Sequence, residues 1–230
     1  MNDYFQDSVF FGAAVSLIAY GLGVVLNRKT KLAILNPLLI SIVATILVIT
    51  LGHIDYDTYN QSGQYISYLL TPATVCLAVP LYQQMELLKK NLKAVVIGIV
   101  SGVLASLVSV LILARLFRLS HEQYVTLLPK SITTAIGMGV SEELGGIVTI
   151  TVAVIIITGV LGNMVAETVI KLAHIEEPIA KGLALGTSSH AIGTAKAMEL
   201  GEIEGAMSSL AIAVAGLLTV VGASVFAQFM

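Results

Sequence analysis

Apolar runs about as long as a bilayer is thick follow one another along almost the whole chain. They are Val9–Leu26, Leu32–Leu51, Gly63–Tyr82, Ala94–Leu116, Gln123–Gly139, Ile147–Ile170, Ile179–Leu200 and Ala206–Phe229. A helix needs about 20 apolar residues to cross the hydrocarbon layer of a membrane. Of the 230 residues, 57% are hydrophobic and only 11% are charged, against about 25% charged in a soluble domain. A surface so short of charge is solvated by lipid. The expected fold is an all-α polytopic membrane protein of about seven or eight transmembrane segments, with no room for a sizeable soluble domain. A single transmembrane domain over residues 1–230 is the expectation.

Several function classes are disfavoured by the same reading. A net charge of −2 argues against nucleic acid as a partner. Cys76 is the one cysteine, so no disulfide forms within the chain and no cysteine-based metal site exists. His53, His121, His174 and His190 are scattered without metal-ligand spacing. No phosphate-binding loop and no G-x-S-x-G elbow occur. No enzymatic reaction, metal or cofactor is expected. The acidic start, Met1–Asp7, lacks the basic end of a cleaved signal, so the first run is expected to stay as a span.

Three runs are irregular: Gly63–Tyr82 carries Pro72 and Pro80, Gln123–Gly139 carries Pro129 and Lys130, and Ile179–Leu200 is rich in Gly, Ser and Thr. Broken helices persist in lipid only where protein or a water-filled cavity surrounds them, so these three belong inside the bundle and the smooth runs outside. A smooth–broken–smooth order over residues 32–116 recurs over 147–229. The offset of about 114 sets Thr74 near Ser188 and suggests two related halves, roughly 9–118 and 122–230. Secondary transporters are commonly built this way, with the site where the repeats meet. Arg28, Lys29 and Lys31, then Lys89, Lys90 and Lys93, mark cytoplasmic loops; Arg115 and Arg118 then fall outside, against the rule, unless one segment is re-entrant.

The irregular runs also hold the chemistry. Pro129 removes a backbone donor beside Lys130, and Ser131, Thr133 and Thr134 follow. A lysine at the centre of a span costs about 2.5–3.5 kcal/mol on insertion scales, so it should face a cavity or a counter-charge. A helix starting after Pro129 presents free N–H groups and a positive dipole end that suit a carboxylate. The competing reading is a lysine that snorkels to the interface. In the second run Thr187, Ser188, Ser189, His190, Thr194 and Lys196 crowd together, with Gly182, Gly186 and Gly193 allowing close approach. His190 could relay a proton near neutral pH, and in an unbroken helix Thr187, His190 and Thr194 would share a face. The competing reading is a small-residue packing face. In the third run Thr71 and Thr74 are modest solute ligands, or belong to a Pro-kinked packing helix. The polar stretches are expected to line one path, with Lys130 and His190 approaching a shared cavity near mid-membrane.

Three stretches carry a family resemblance: Leu127–Ile136 with Glu143-Leu144-Gly145-Gly146, then Ile179–Ala197 with its Gly-Thr-Ser-Ser-His run, and Pro72–Tyr82. On them the chain resembles the LrgB/CidB family of bacterial membrane proteins, over essentially its whole length. The basic residue after Pro129 looks closer to the CidB branch. The resemblance implies a bacterial cell (inner) membrane location. It also implies one of two activities. The first is holin- or antiholin-like modulation of murein hydrolases with a small LrgA/CidA-type partner. The second is transport of small monocarboxylates of the pyruvate, lactate, glycolate or glycerate kind, since the family's members include a bacterial pyruvate-uptake system and a plastidial glycolate/glycerate carrier. Transport agrees with the residue chemistry, because a lesion-former has little use for a costly buried lysine. The sequence leads to a monocarboxylate transporter, with the hydrolase regulator as the alternative. A homodimer is expected from the smooth outer helices.

Overall fold

The computed structural model describes residues 8, 10–30, 35–76 and 78–230, apart from the side chains of residues 70, 71 and 74. Every long element among them is an α-helix. The chain divides into two compact units, Met1–Cys76 and Leu77–Met230.

The first unit holds α1 (Phe11–Thr30), α2 (Pro37–Leu51), α3 (Tyr56–Ser67) and α4 (Leu70–Cys76). Asn36 caps α2 through the amides of Leu38 and Leu39, and Pro37 sits at the first helical position, where a missing donor costs nothing. Small residues let α1 approach its neighbours. A Cβ on Gly23 would lie 2.7 Å from the Pro37 carbonyl oxygen. The Gly12 amide donates to Ser62 Oγ at 2.5 Å, and Ser16 and Tyr59 share a 2.7 Å hydroxyl bond.

The second unit runs through two short helices, α5 (Ala78–Gln83) and α6 (Met85–Lys90), into α7 (Leu92–Leu116), α8 (His121–Leu127), α9 (Thr134–Glu143), α10 (Val148–Leu172), α11 (Pro178–Leu200) and α12 (Glu202–Phe226). Helices α7, α10 and α12 have 25 residues each, roughly 37 Å at 1.5 Å per residue. With α1 they are, among the described residues, the four helices long and apolar enough to cross a membrane. The two polar runs lie between these rods, and neither forms one straight helix.

Helix α11 is broken at His190, whose φ of 43° and ψ of −135° are not helical. The chain reverses there. A Cβ on Gly193 would lie 2.5 Å from the Leu185 carbonyl oxygen, whereas eight residues of straight helix span about 12 Å. Gly186 packs on the Ser208 carbonyl and Thr194 bonds Ser208 Oγ at 2.7 Å, so both arms meet one residue of α12. Along α10 the arms also meet: Ser189 packs on Gly162, while Lys196 reaches Glu167. Residues 178–200 are thus a helical hairpin whose ends lie beside the end of α10. The face expected from an unbroken helix does not exist, because Thr187 and Thr194 stand on opposite arms.

Residues 121–143 make a second hairpin from α8, a tight turn and α9. Ser120 and Gln123 form a capping box that starts α8. Pro129 is a turn residue, and the amide of Ile132 bonds its carbonyl at 3.3 Å. Gly137 faces Pro129 across the turn. Thr151 ties the base to α10, with Oγ1 2.9 Å from the Thr126 carbonyl and 2.7 Å from Ser141 Oγ, all three residues being buried. Thr151→Val should leave these groups short of a partner and cost about 1–3 kcal/mol. A clear drop in the thermal unfolding temperature of the purified protein checks this.

The apolar run Gly63–Tyr82 is likewise divided, among α3, α4 and α5. Pro72 and Pro80 each stand in the first turn of a short helix, where a proline breaks no hydrogen bond.

Candidate functional site

The two hairpins enter the second unit from opposite ends. The first begins and ends beside the C-terminus of α7 and the N-terminus of α10. The second begins and ends beside the C-terminus of α10 and the N-terminus of α12. Their turns come to the same depth. Ser131, in the first turn, accepts a 3.0 Å bond from Ser106 of α7. Thr187, near the second turn, packs on Gly102 of α7, one helical turn away on the same face. Ile155 of α10 also meets both: its side chain touches Gly137, and its carbonyl lies 3.0 Å from His190 Nε2.

Lys130 is half-buried, and its Nζ donates to Ser131 Oγ at 2.9 Å. Ser131 therefore accepts from both Lys130 and Ser106. Pro129 is fully buried. Thr133 is the N-cap of α9, yet its hydroxyl makes no capping bond, so the first-turn N–H groups of α9 open at mid-depth beside Lys130. Thr134 is the first residue of that helix.

In the second hairpin the polar side chains are mostly engaged. Thr187 Oγ1 donates to the Leu183 carbonyl at 2.8 Å, and Ser188 and Ser189 share a 3.0 Å bond. Thr194 Oγ1 donates to the His190 carbonyl at 3.0 Å. Asn163 Nδ2 donates to the Ile192 carbonyl at 3.0 Å. The His190 ring packs against Gly159, where a Cβ would come within 2.7 Å of its Cε1 and Nε2. Since a carbonyl only accepts, Nε2 carries a proton. His190 thus holds the turn against α10. It and Lys130 reach the same depth on different helices, Lys130 by α7 and His190 by α10. Lys196 lies on the outward arm, paired to Glu167 at 2.7 Å and Glu199 at 3.0 Å. The side chains of Thr71 and Thr74 lie outside the described residues.

Residues of the smooth helices complete the arrangement. Ser106, Gly102, Ile155 and Gly159 meet the turns, and nothing in the apolar runs around them sets them apart. A groove of about 590 Å³ runs between α7 and the first arm of the second hairpin, past Gly98, Ser101, Gly102, Ala184 and Thr187.

Comparison with known proteins agrees with the motifs. The chain matches the LrgB-like family over residues 16–229. It is 40% identical over 221 residues to the antiholin-like protein LrgB of Bacillus mycoides (strain KBAB4), covering 96% of each chain. The proteins of that name from Bacillus cereus (strain B4264) and Bacillus anthracis (strain CDC 684 / NRRL 3495) are each 39% identical over the same share. No solved structure matches. The apolar helices and a match over nearly the whole chain make this a membrane protein that belongs to the LrgB-like family.

Proposed function

We propose that this protein is a secondary transporter of small monocarboxylates, of the pyruvate, lactate, glycolate or glycerate kind, in the bacterial cytoplasmic membrane. One observation carries the reading: two half-depth hairpins, entering from opposite ends, bring their turns to the same depth against α7 and α10, and the first turn holds Lys130 and an uncapped helix start. Each arm is about ten residues long, roughly 15 Å, which reaches the middle of a 30 Å hydrocarbon layer and no further. Such turns persist in a membrane only around a protein-lined or wet path. The Lys130 ammonium, the hydroxyls of Ser131, Thr133 and Thr134, and the free N–H groups of α9 suit a carboxylate. Thr187, Ser188, Ser189 and Thr194 would line the other side. His190 is the candidate for a coupled proton, and Lys196 a candidate guide at the mouth. Each crossing of α7, α10 and α12 would leave the two hairpins re-entrant.

The relatives' names favour a second reading: an antiholin-like regulator of murein hydrolases and autolysis, working with a small LrgA/CidA-type membrane protein. Purified protein in liposomes separates the two. The transport reading expects saturable uptake of labelled pyruvate or glycolate driven by an imposed proton gradient, with an unrelated dye of similar size retained. Dye leakage, or no flux of any monocarboxylate, rejects it. Flux that appears only with the small partner would make that partner obligatory. A homodimer is the proposed assembly.

A further inference from the structure

The two hairpins are alike in more than shape. Ala135-Ile136-Gly137 in the first match Ala191-Ile192-Gly193 in the second, 56 positions on (191 − 135). Glu143-Leu144-Gly145 matches Glu199-Leu200-Gly201 at the same spacing. The hydroxyl residues Ser131 and Thr133 fall on Thr187 and Ser189. Contacts repeat as well: Gly137 faces the Pro129 carbonyl and Gly193 faces the Leu185 carbonyl, each eight residues back and again 56 apart (185 − 129). The preceding helices, Leu92–Leu116 and Val148–Leu172, are 25 residues each and start 56 apart (148 − 92). They run in opposite directions. Gly98 and Gly102 of α7 meet Leu183 and Thr187 in ascending order along the first arm of α11. Residues of α10 meet that arm in reverse, Gly162 against Ser189, with Ala166 packed in one cluster with Leu185.

We infer that α7 with hairpin 121–143 and α10 with hairpin 178–200 are an inverted pair, and that the hairpins are two gates, each opening the central path to its own face of the membrane. This frame, with α12 outside it, differs from the offset of about 114 expected from the run order. The gating role rests on the transport reading; the inverted placement does not. Charge assigns the faces. Lys89, Lys90, Lys93, Lys171 and Lys181 gather at the end where hairpin 178–200 opens, which makes that end cytoplasmic. Arg115, at the other end, is occupied by a bond from its guanidinium to the Phe229 carbonyl at 2.9 Å. An outside location of Arg115 then has a structural reason.

In a Cys76→Ser background, single cysteines at Glu142 and Glu176 are labelled with a membrane-impermeant maleimide in spheroplasts and in inside-out vesicles. Glu142→Cys should react from the outside only and Glu176→Cys from the cytoplasmic side only. The equivalent positions just past each turn, Ala135→Cys and Ala191→Cys, should each react from the face of its own hairpin, more slowly with saturating pyruvate. Labelling of Glu142→Cys and Glu176→Cys from one face overturns the inverted pair. Opposite labelling with turn positions that pyruvate never protects overturns the gates. Opposite labelling in vesicles that take up no monocarboxylate rejects the transport reading and leaves the inverted pair standing.

Discussion

Replacing Lys130 with methionine should abolish most monocarboxylate uptake and leave the fold intact. The methionine side chain keeps similar bulk and removes the charge. Lys130 donates to Ser131 at 2.9 Å and makes no ion pair among the described residues, so no buried counter-charge is orphaned by the change. A half-buried ammonium is itself costly in a membrane, so stability should hold or rise. Loss of a hydrogen bond to a charged group is worth about 1.5–3 kcal/mol, which is roughly a 10- to 150-fold fall in uptake at low substrate. Lys130→Arg should retain part of the activity, because charge remains while a point donor becomes a planar fork. Uptake by Lys130→Met equal to the parent would remove Lys130 from the site.

The second large effect is expected at Gly193. A Cβ there would lie 2.5 Å from the Leu185 carbonyl oxygen and 2.6 Å from Ser189 Cβ. Neither neighbour is the free end of a flexible side chain, so Gly193→Leu must push the arms of hairpin 178–200 apart. Overpacking of this kind costs about 1–3 kcal/mol or more, and uptake should vanish with the displaced turn. Gly139 supplies the control. It lies in α9 with nothing within 4 Å of a built Cβ, so Gly139→Ala should be neutral or stabilising by up to about 1 kcal/mol through helix propensity. Thermal unfolding of the two variants, with uptake measured on the same preparations, should separate them cleanly. Equal behaviour at Gly193 and Gly139 would contradict the folded-back geometry of α11.

The polar runs announced themselves in the sequence, since Pro129, Lys130 and the Thr187–His190 stretch break an otherwise apolar pattern. Their folding back did not. Residues 179–200 have the length of a full crossing, and the reversal depends on His190 adopting a positive φ, with Thr194 and Asn163 bonding the His190 and Ile192 carbonyls beside the break. These are tertiary conditions that no local propensity encodes. The polar groups of Ser106 and Ile155 that meet the turns were invisible for a different reason. One is a single serine in a smooth helix and the other is a backbone carbonyl. The pairing of Lys196 with Glu167 was hidden too, because the two lie 29 residues apart on different helices (196 − 167). The 56-residue spacing was legible in principle, as Ala-Ile-Gly occurs in both hairpins. It was hidden by short identities and by a broader rhythm of smooth and broken runs that pointed to another offset.

Substrate counterflow tests the central claim most directly. Liposomes holding the purified protein are loaded with unlabelled pyruvate and diluted into a trace of labelled pyruvate. A carrier whose site faces one side at a time should draw label inward above its outside concentration for a time before the gradient decays, and Lys130→Met should lose this overshoot. A monotonic approach to equal concentrations, with the same rate whatever is loaded inside, would show an open lesion and contradict the account.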